Sequence, residues 1–168
     1  FRDPAHERAM AAILARHLPD AAISLSSEVA PSLGEYERAT TTVANAYVQP
    51  VFRRYLTRLA DGLRALGVRL ELLLMQSDGG TIHQAAAMRH PVRLVQSGPA
   101  GGAQATARAG ATVGARDVLA FDMGGTTAKA CLIPDGEPAR TSVFEVARIA
   151  RFRPGSGLPL LVPAIDMI

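Results

Sequence analysis

An α/β domain with a mixed sheet is the fold class that the order of patterns along these 168 residues predicts. Helical periodicity and short apolar runs alternate through the first two-thirds, and hairpin-like strands follow. The length allows one domain with a proper core, and 48% hydrophobic residues suit a globular protein.

Residues 6–18 read as a short helix, with Ala9 and Ile13 at helical spacing and Pro19-Asp20 as the stop. Residues 22–29 read as a strand, and Pro31-Ser32-Leu33-Gly34 as a turn. The longest helical pattern covers residues 35–66. Pro50 interrupts it, which predicts two helices or one kinked helix. Residues 70–75 form a continuous apolar run, expected as a buried strand, and 76–80 a loop. A short helix over 82–88 and another strand over 92–96 follow. After Ser97-Gly98-Pro99 a helix of small residues covers 101–111. Strands at 118–121 and 128–133 are expected to pair around a glycine turn, and further strands to follow Glu137.

Composition excludes several classes of function. No stretch reaches the roughly 18 uncharged apolar residues of a membrane span, and the first residues, FRDPAHERAM, lack a secretory pattern. The single cysteine, Cys131, cannot form an internal disulfide and fits a reducing, cytoplasmic setting. His6, His17, His83 and His90 show no metal-ligand spacing. The net charge is +3, and of the 18 basic residues only Lys129 is lysine. The arginines are scattered, without the basic stripe and interleaved aromatics that nucleic-acid binding calls for.

The segment LAFDMGGTTAKACLIP, residues 119–134, carries the chemistry. An apolar strand runs into Asp122, a Gly124-Gly125-Thr126-Thr127 turn follows, and a second apolar strand leaves. Glycines let backbone N–H groups approach an anion without a Cβ in the way, and consecutive N–H groups can cradle phosphate. A carboxylate at the strand end can hold a metal ion through water. Gly-Gly between apolar runs is equally a two-residue hairpin signal, and Asp122 equally a backbone cap. Lys129 shares a strand face with Thr127 and Cys131, as a phosphate ligand or as a solvated edge residue. Cys131 reads as packing. Ser97-Gly98-Pro99 reads as a cap or an anion-binding helix start, Ser77-Asp78-Gly79-Gly80 as a turn at a strand end. Glu37-Arg38 and Thr40-Thr41-Thr42 carry no assignable chemistry.

Five blocks in order resemble the hydantoinase A/5-oxoprolinase family: SLSSEVAPSLGEYERATTTVANAYVQP (24–50), LLLMQSDGG (72–80), PVRLVQSGPAGG (91–102), FDMGGTTAKACLI (121–133) and GSGLPLLVPAIDMI (155–168). The TTAKACLI continuation is most similar to the N-methylhydantoinase A branch. The resemblance implies an actin-like ATPase fold, in which two ribonuclease-H-like lobes close over ATP. It makes residues 118–133 the second phosphate hairpin and residues 97–111 the helix between lobes. Asp122 then acts on magnesium through bound water, with Gly124, Gly125, Thr126 and Thr127 as nucleotide contacts. The first hairpin and the adenosine loop have no counterpart here, so an internal segment with one jaw of a site is expected. Family membership implies ATP-dependent opening of a cyclic amide such as a hydantoin or 5-oxoproline, with a second hydantoinase B-type subunit or fused half as partner. A ketone carboxylase subunit and an actin-like nucleotide switch are the alternatives. The histidine spacing speaks against zinc-type cyclic amidohydrolases.

Overall fold

The computed structural model describes residues 2–125, 127–150 and 153–168. Its first helix, α1 (Ala5–His17), lies where the periodicity places it. The strand expected over 22–29 is instead an extended segment and one helical turn, α2 (Ser26–Val29). No local residue caps that turn, because its N-cap is Leu25. Glu7 of α1 supplies the cap: its carboxylate accepts the Ser27 amide (3.0 Å) and the Ser27 hydroxyl (2.7 Å). Ser26 Oγ also donates to Glu7, and Arg38 donates to Ser26.

This clasp holds the Glu7 carboxyl at about 2 against an ordinary 4.5. The Ser26 hydrogen bond is the largest cause, followed by the Ser27 amide; burial opposes these two, and the Ser27 hydroxyl and Arg38 add smaller lowering effects. The folded state therefore binds this proton less readily than the unfolded chain. Stability from the clasp is present above about pH 4.5 and is lost as pH falls towards about 2. Glu145, whose carboxyl the Gly155 amide also holds low, changes in the same direction. Denaturant titrations of wild type and Glu7→Gln should therefore differ most at neutral pH and converge on acidification. A gap that stays constant between pH 7 and 3 would refute the clasp.

The long pattern becomes one helix, α3 (Glu35–Ala65), running through Pro50. Pro50 is exposed, so water can reach the carbonyl freed by its missing N–H. The buried stripe of α3 is Thr41, Asn45, Gln49, Leu56 and Ala60, polar in its first half and apolar in its second. Thr41 Oγ1 accepts the Leu161 amide at 2.8 Å and Thr40 Oγ1 donates to the Pro159 carbonyl at 2.6 Å, which pins the helix to the C-terminal strands.

Two short strands follow, β1 (Leu73–Met75) and β2 (Thr81–His83), paired antiparallel, and then α4 (Gln84–Arg89). Gly79 takes φ +83° in their turn, a conformation that favours glycine there. The strand expected over 92–96 is a 3₁₀ turn, Pro91–Leu94. Val92 donates its amide to Asn45 Oδ1 rather than to a strand, and continuous apolar runs do not distinguish buried turns from buried strands.

Helix α5 (Ser97–Thr112) buries Ala100, Ala103, Ala107 and Gly110. Its small residues bring it close to the hairpin β3 (Val118–Met123) and β4 (Ala128–Ile133), where Ala120, Cys131 and Ile133 complete a core with Ile165. A second 3₁₀ turn, Pro134–Gly136, leads to β5 (Arg140–Thr141), β6 (Phe144–Val146), β7 (Leu158–Leu160) and β8 (Ala164–Ile165). Among the described residues the strands form four antiparallel two-stranded ladders, β1-β2, β3-β4, β5-β8 and β6-β7, rather than one mixed sheet. The opposite face of the β3-β4 hairpin, with Leu119, Phe121, Met123 and Leu132, is exposed. No helix among the described residues is long and apolar enough to cross a membrane.

Candidate phosphate hairpin

Strands β3 and β4 pair over six residues, from Val118 opposite Ile133 to Met123 opposite Ala128. Alternation puts Val118, Ala120 and Asp122 on the face that packs on α5, together with Lys129, Cys131 and Ile133. Asp122 and Lys129 stand directly opposite each other on that face. Only the inner end of the face is buried. Asp122 lies beyond the core, exposed, at the open end of the ladder.

The turn closes with the Gly124 amide donating to the Thr127 carbonyl at 3.0 Å. Gly124 therefore uses its N–H internally, while the amides of Gly125 and Thr127 have no partner among the described residues. Thr126 lies outside the described residues. Neither Gly124 nor Gly125 takes positive φ, and nothing described lies within 4 Å of a Cβ built on Gly125. The backbone does not itself demand these glycines. What their missing side chains leave is open space beside a free amide, which suits a ligand approaching the main chain.

A cavity of about 60 Å³ is lined by Asp122, Lys129, Pro99, Gly102 and Phe121. Asp122 forms no ion pair or side-chain hydrogen bond among the described residues. Lys129 Nζ instead donates to Gln96 Oε1 at 2.8 Å. Gln96 is the N-cap of α5, one residue ahead of the Ser97 or Gly98 expected from sequence, and its amide donates to Ser77 Oγ at 3.0 Å. Ser77 is fully buried, donates its amide to Arg93 and accepts that of Ile165, so this loop ties α5 to β8. The turn expected at 77–80 is present, with Asp78 Oδ1 accepting the Gly80 amide at 2.8 Å. Cys131 is buried, and burial pushes its thiol up, as a packing role requires.

No group of three or more metal-ligating side chains occurs among the described residues. Magnesium needs none when phosphate oxygens and water fill most of its shell, and a single carboxylate then suffices. Exposed and unpaired, Asp122 fits that demand, and Gly125 with Thr127 fits a phosphate. A larger cleft, about 610 Å³ beside the end of α3, shares no residue with this hairpin.

The antiparallel β3-β4 hairpin packed on the small-residue helix α5 belongs to a partial actin-like ATPase fold, which two solved structures share. The chain matches the crystal structure of an ATP-dependent caprolactamase from Pseudomonas jessenii with TM-score 0.73 and 30% identity, covering 99% of this chain and 23% of that one. It matches nucleotide-free acetone carboxylase with TM-score 0.69 and 26% identity, covering 85% and 19%. An uncharacterized protein of Methanocaldococcus jannaschii is 36% identical over 99% of this chain and 25% of its own length. The family model for hydantoinase/oxoprolinase matches residues 38–168, and the chain belongs to that family. It spans a quarter or less of the lengths of these relatives.

Proposed function

We propose that this chain is an internal segment of an ATP-dependent cyclic amidohydrolase, with β3-β4 as its second phosphate hairpin and α5 as the helix between lobes. The observation that carries the reading is Asp122, an exposed and unpaired carboxylate beside the open Gly125 turn, within a family whose solved relatives are ATP-dependent. Asp122 would hold magnesium-bound water. Gly125 and Thr127, with Gly124 shaping the turn and Thr126 as a further contact, would hold phosphate oxygens. ATP, when bound, would supply a phosphoryl group to the amide oxygen with ADP as the leaving group, so that water could add at the activated ring carbon, the ring C–N bond break and phosphate be released. The task of these residues is placement and charge neutralisation. A second subunit or fused half would complete ring opening.

The similarity to acetone carboxylase favours a second reading, in which an enol oxygen takes the phosphoryl group. The test is substrate-dependent ATP turnover of the intact protein. Hydantoins, 5-oxoproline and lactams are expected to stimulate phosphate release, and small ketones with bicarbonate are not. Stimulation by ketones alone would move the assignment to the carboxylases, and stimulation by neither would favour a nucleotide switch.

A further inference from the structure

Lys129 holds a position that hairpin geometry alone does not explain. It faces Asp122 across the ladder on the same face, where two opposite charges would be expected to pair. Yet no Asp122–Lys129 contact within 4.0 Å occurs, because the ammonium bonds Gln96. Gln96 is itself fixed by Ser77 through its backbone amide and by its place at the start of α5. A half-buried lysine thus bonds a neutral group rather than the carboxylate opposite it in the ladder. An ammonium carries three donors, and Gln96 uses one. Lys129 also lines an open groove of about 570 Å³ together with Gln96, Thr127, Glu145 and Asp166.

We infer that Lys129 is a ligand for the terminal phosphoryl group of the bound nucleotide, with Gln96 as its positioning residue. This rests on the ATP reading above. Charge separation across the ladder divides the work. Asp122 serves the cation side of a magnesium–phosphate pair, and Lys129 meets the phosphoryl oxygens as negative charge shifts during transfer. A direct Asp122–Lys129 ion pair would neutralise both groups, and the Gln96 bond prevents it.

The experiment compares ADP with a non-hydrolysable ATP analogue, titrated into the intact wild-type protein and its Lys129→Met, Lys129→Arg and Gln96→Leu variants. Loss of one charge-assisted contact should weaken the triphosphate by about 10- to 100-fold in Lys129→Met and leave ADP within about twofold. Lys129→Arg should recover part of the loss, and Gln96→Leu should show a smaller loss of the same kind. A merely structural lysine would weaken both nucleotides together or neither, and either result overturns the assignment. A raised KM for the ring substrate with an unchanged nucleotide ratio overturns it too, by making Lys129 a substrate residue. Should Lys129→Met fail to fold, the arginine and Gln96→Leu ratios decide alone. If wild type binds neither nucleotide, the ATP reading itself fails; if it binds both and every ratio is unchanged, only the role of Lys129 falls.

Discussion

Asp122→Asn is expected to lower ATP turnover of the intact protein by about a hundredfold or more, the scale on which preorganised charge acts in transfer reactions. The swap keeps size and removes only the charge. Because the Asp122 side chain is exposed and makes no ion pair or hydrogen bond among the described residues, the variant should fold with stability within about 0.5 kcal/mol of wild type. Turnover, nucleotide affinity and unfolding midpoint measured together separate the two roles the sequence left open. A backbone cap would lower the midpoint and spare turnover. A magnesium-water ligand would do the reverse, and its residual activity should demand more magnesium. Near-wild-type turnover would end the catalytic role of Asp122.

The parts of the fold that were legible in sequence are those specified locally. The β3-β4 hairpin follows from two apolar runs flanking Gly124-Gly125, and its register from the alternation that puts Ala120, Cys131 and Ile133 inside. Helix α5 follows from its small residues, although Ser97-Gly98-Pro99, expected ahead of it, form its first turn. What sequence missed depends on distant partners. Segment 22–29 became a helical turn because Glu7, about 20 positions away, caps it. Segment 92–96 became a 3₁₀ turn because Asn45 holds the Val92 amide. The Gln96–Lys129 bond spans 33 positions and leaves no local signal. Of the two readings of the turn glycines, a plain hairpin signal and an open approach to the main chain, neither Gly124 nor Gly125 takes positive φ, and what they contribute is open space.

Thr41, to which sequence reading gave no chemistry, belongs to the buried polar stripe of α3, and Asn45 is its centre. Its side chain is fully buried. Nδ2 donates to Ser24 Oγ and to the Arg89 carbonyl, both at 2.9 Å, and Oδ1 accepts the Val92 amide at 3.3 Å. Three segments distant in sequence are thereby fixed to one side chain. Asn45→Ala would leave the Val92 N–H buried without a partner and open a small void, at a cost of about 3 kcal/mol. Gln49 is the internal control. It donates to the same Arg89 carbonyl at 3.2 Å, which Asn45 also satisfies, so Gln49→Ala should cost only about 1 kcal/mol. Denaturant unfolding of the two variants measures the difference directly, and equal costs would refute the hub. The consequence reaches the site, because the Pro91–Leu94 turn anchored by Asn45 runs straight into Gln96. Loosening it should relax the hold on Lys129, so Asn45→Ala is expected to weaken triphosphate binding more than ADP binding, by a mutation in another helix.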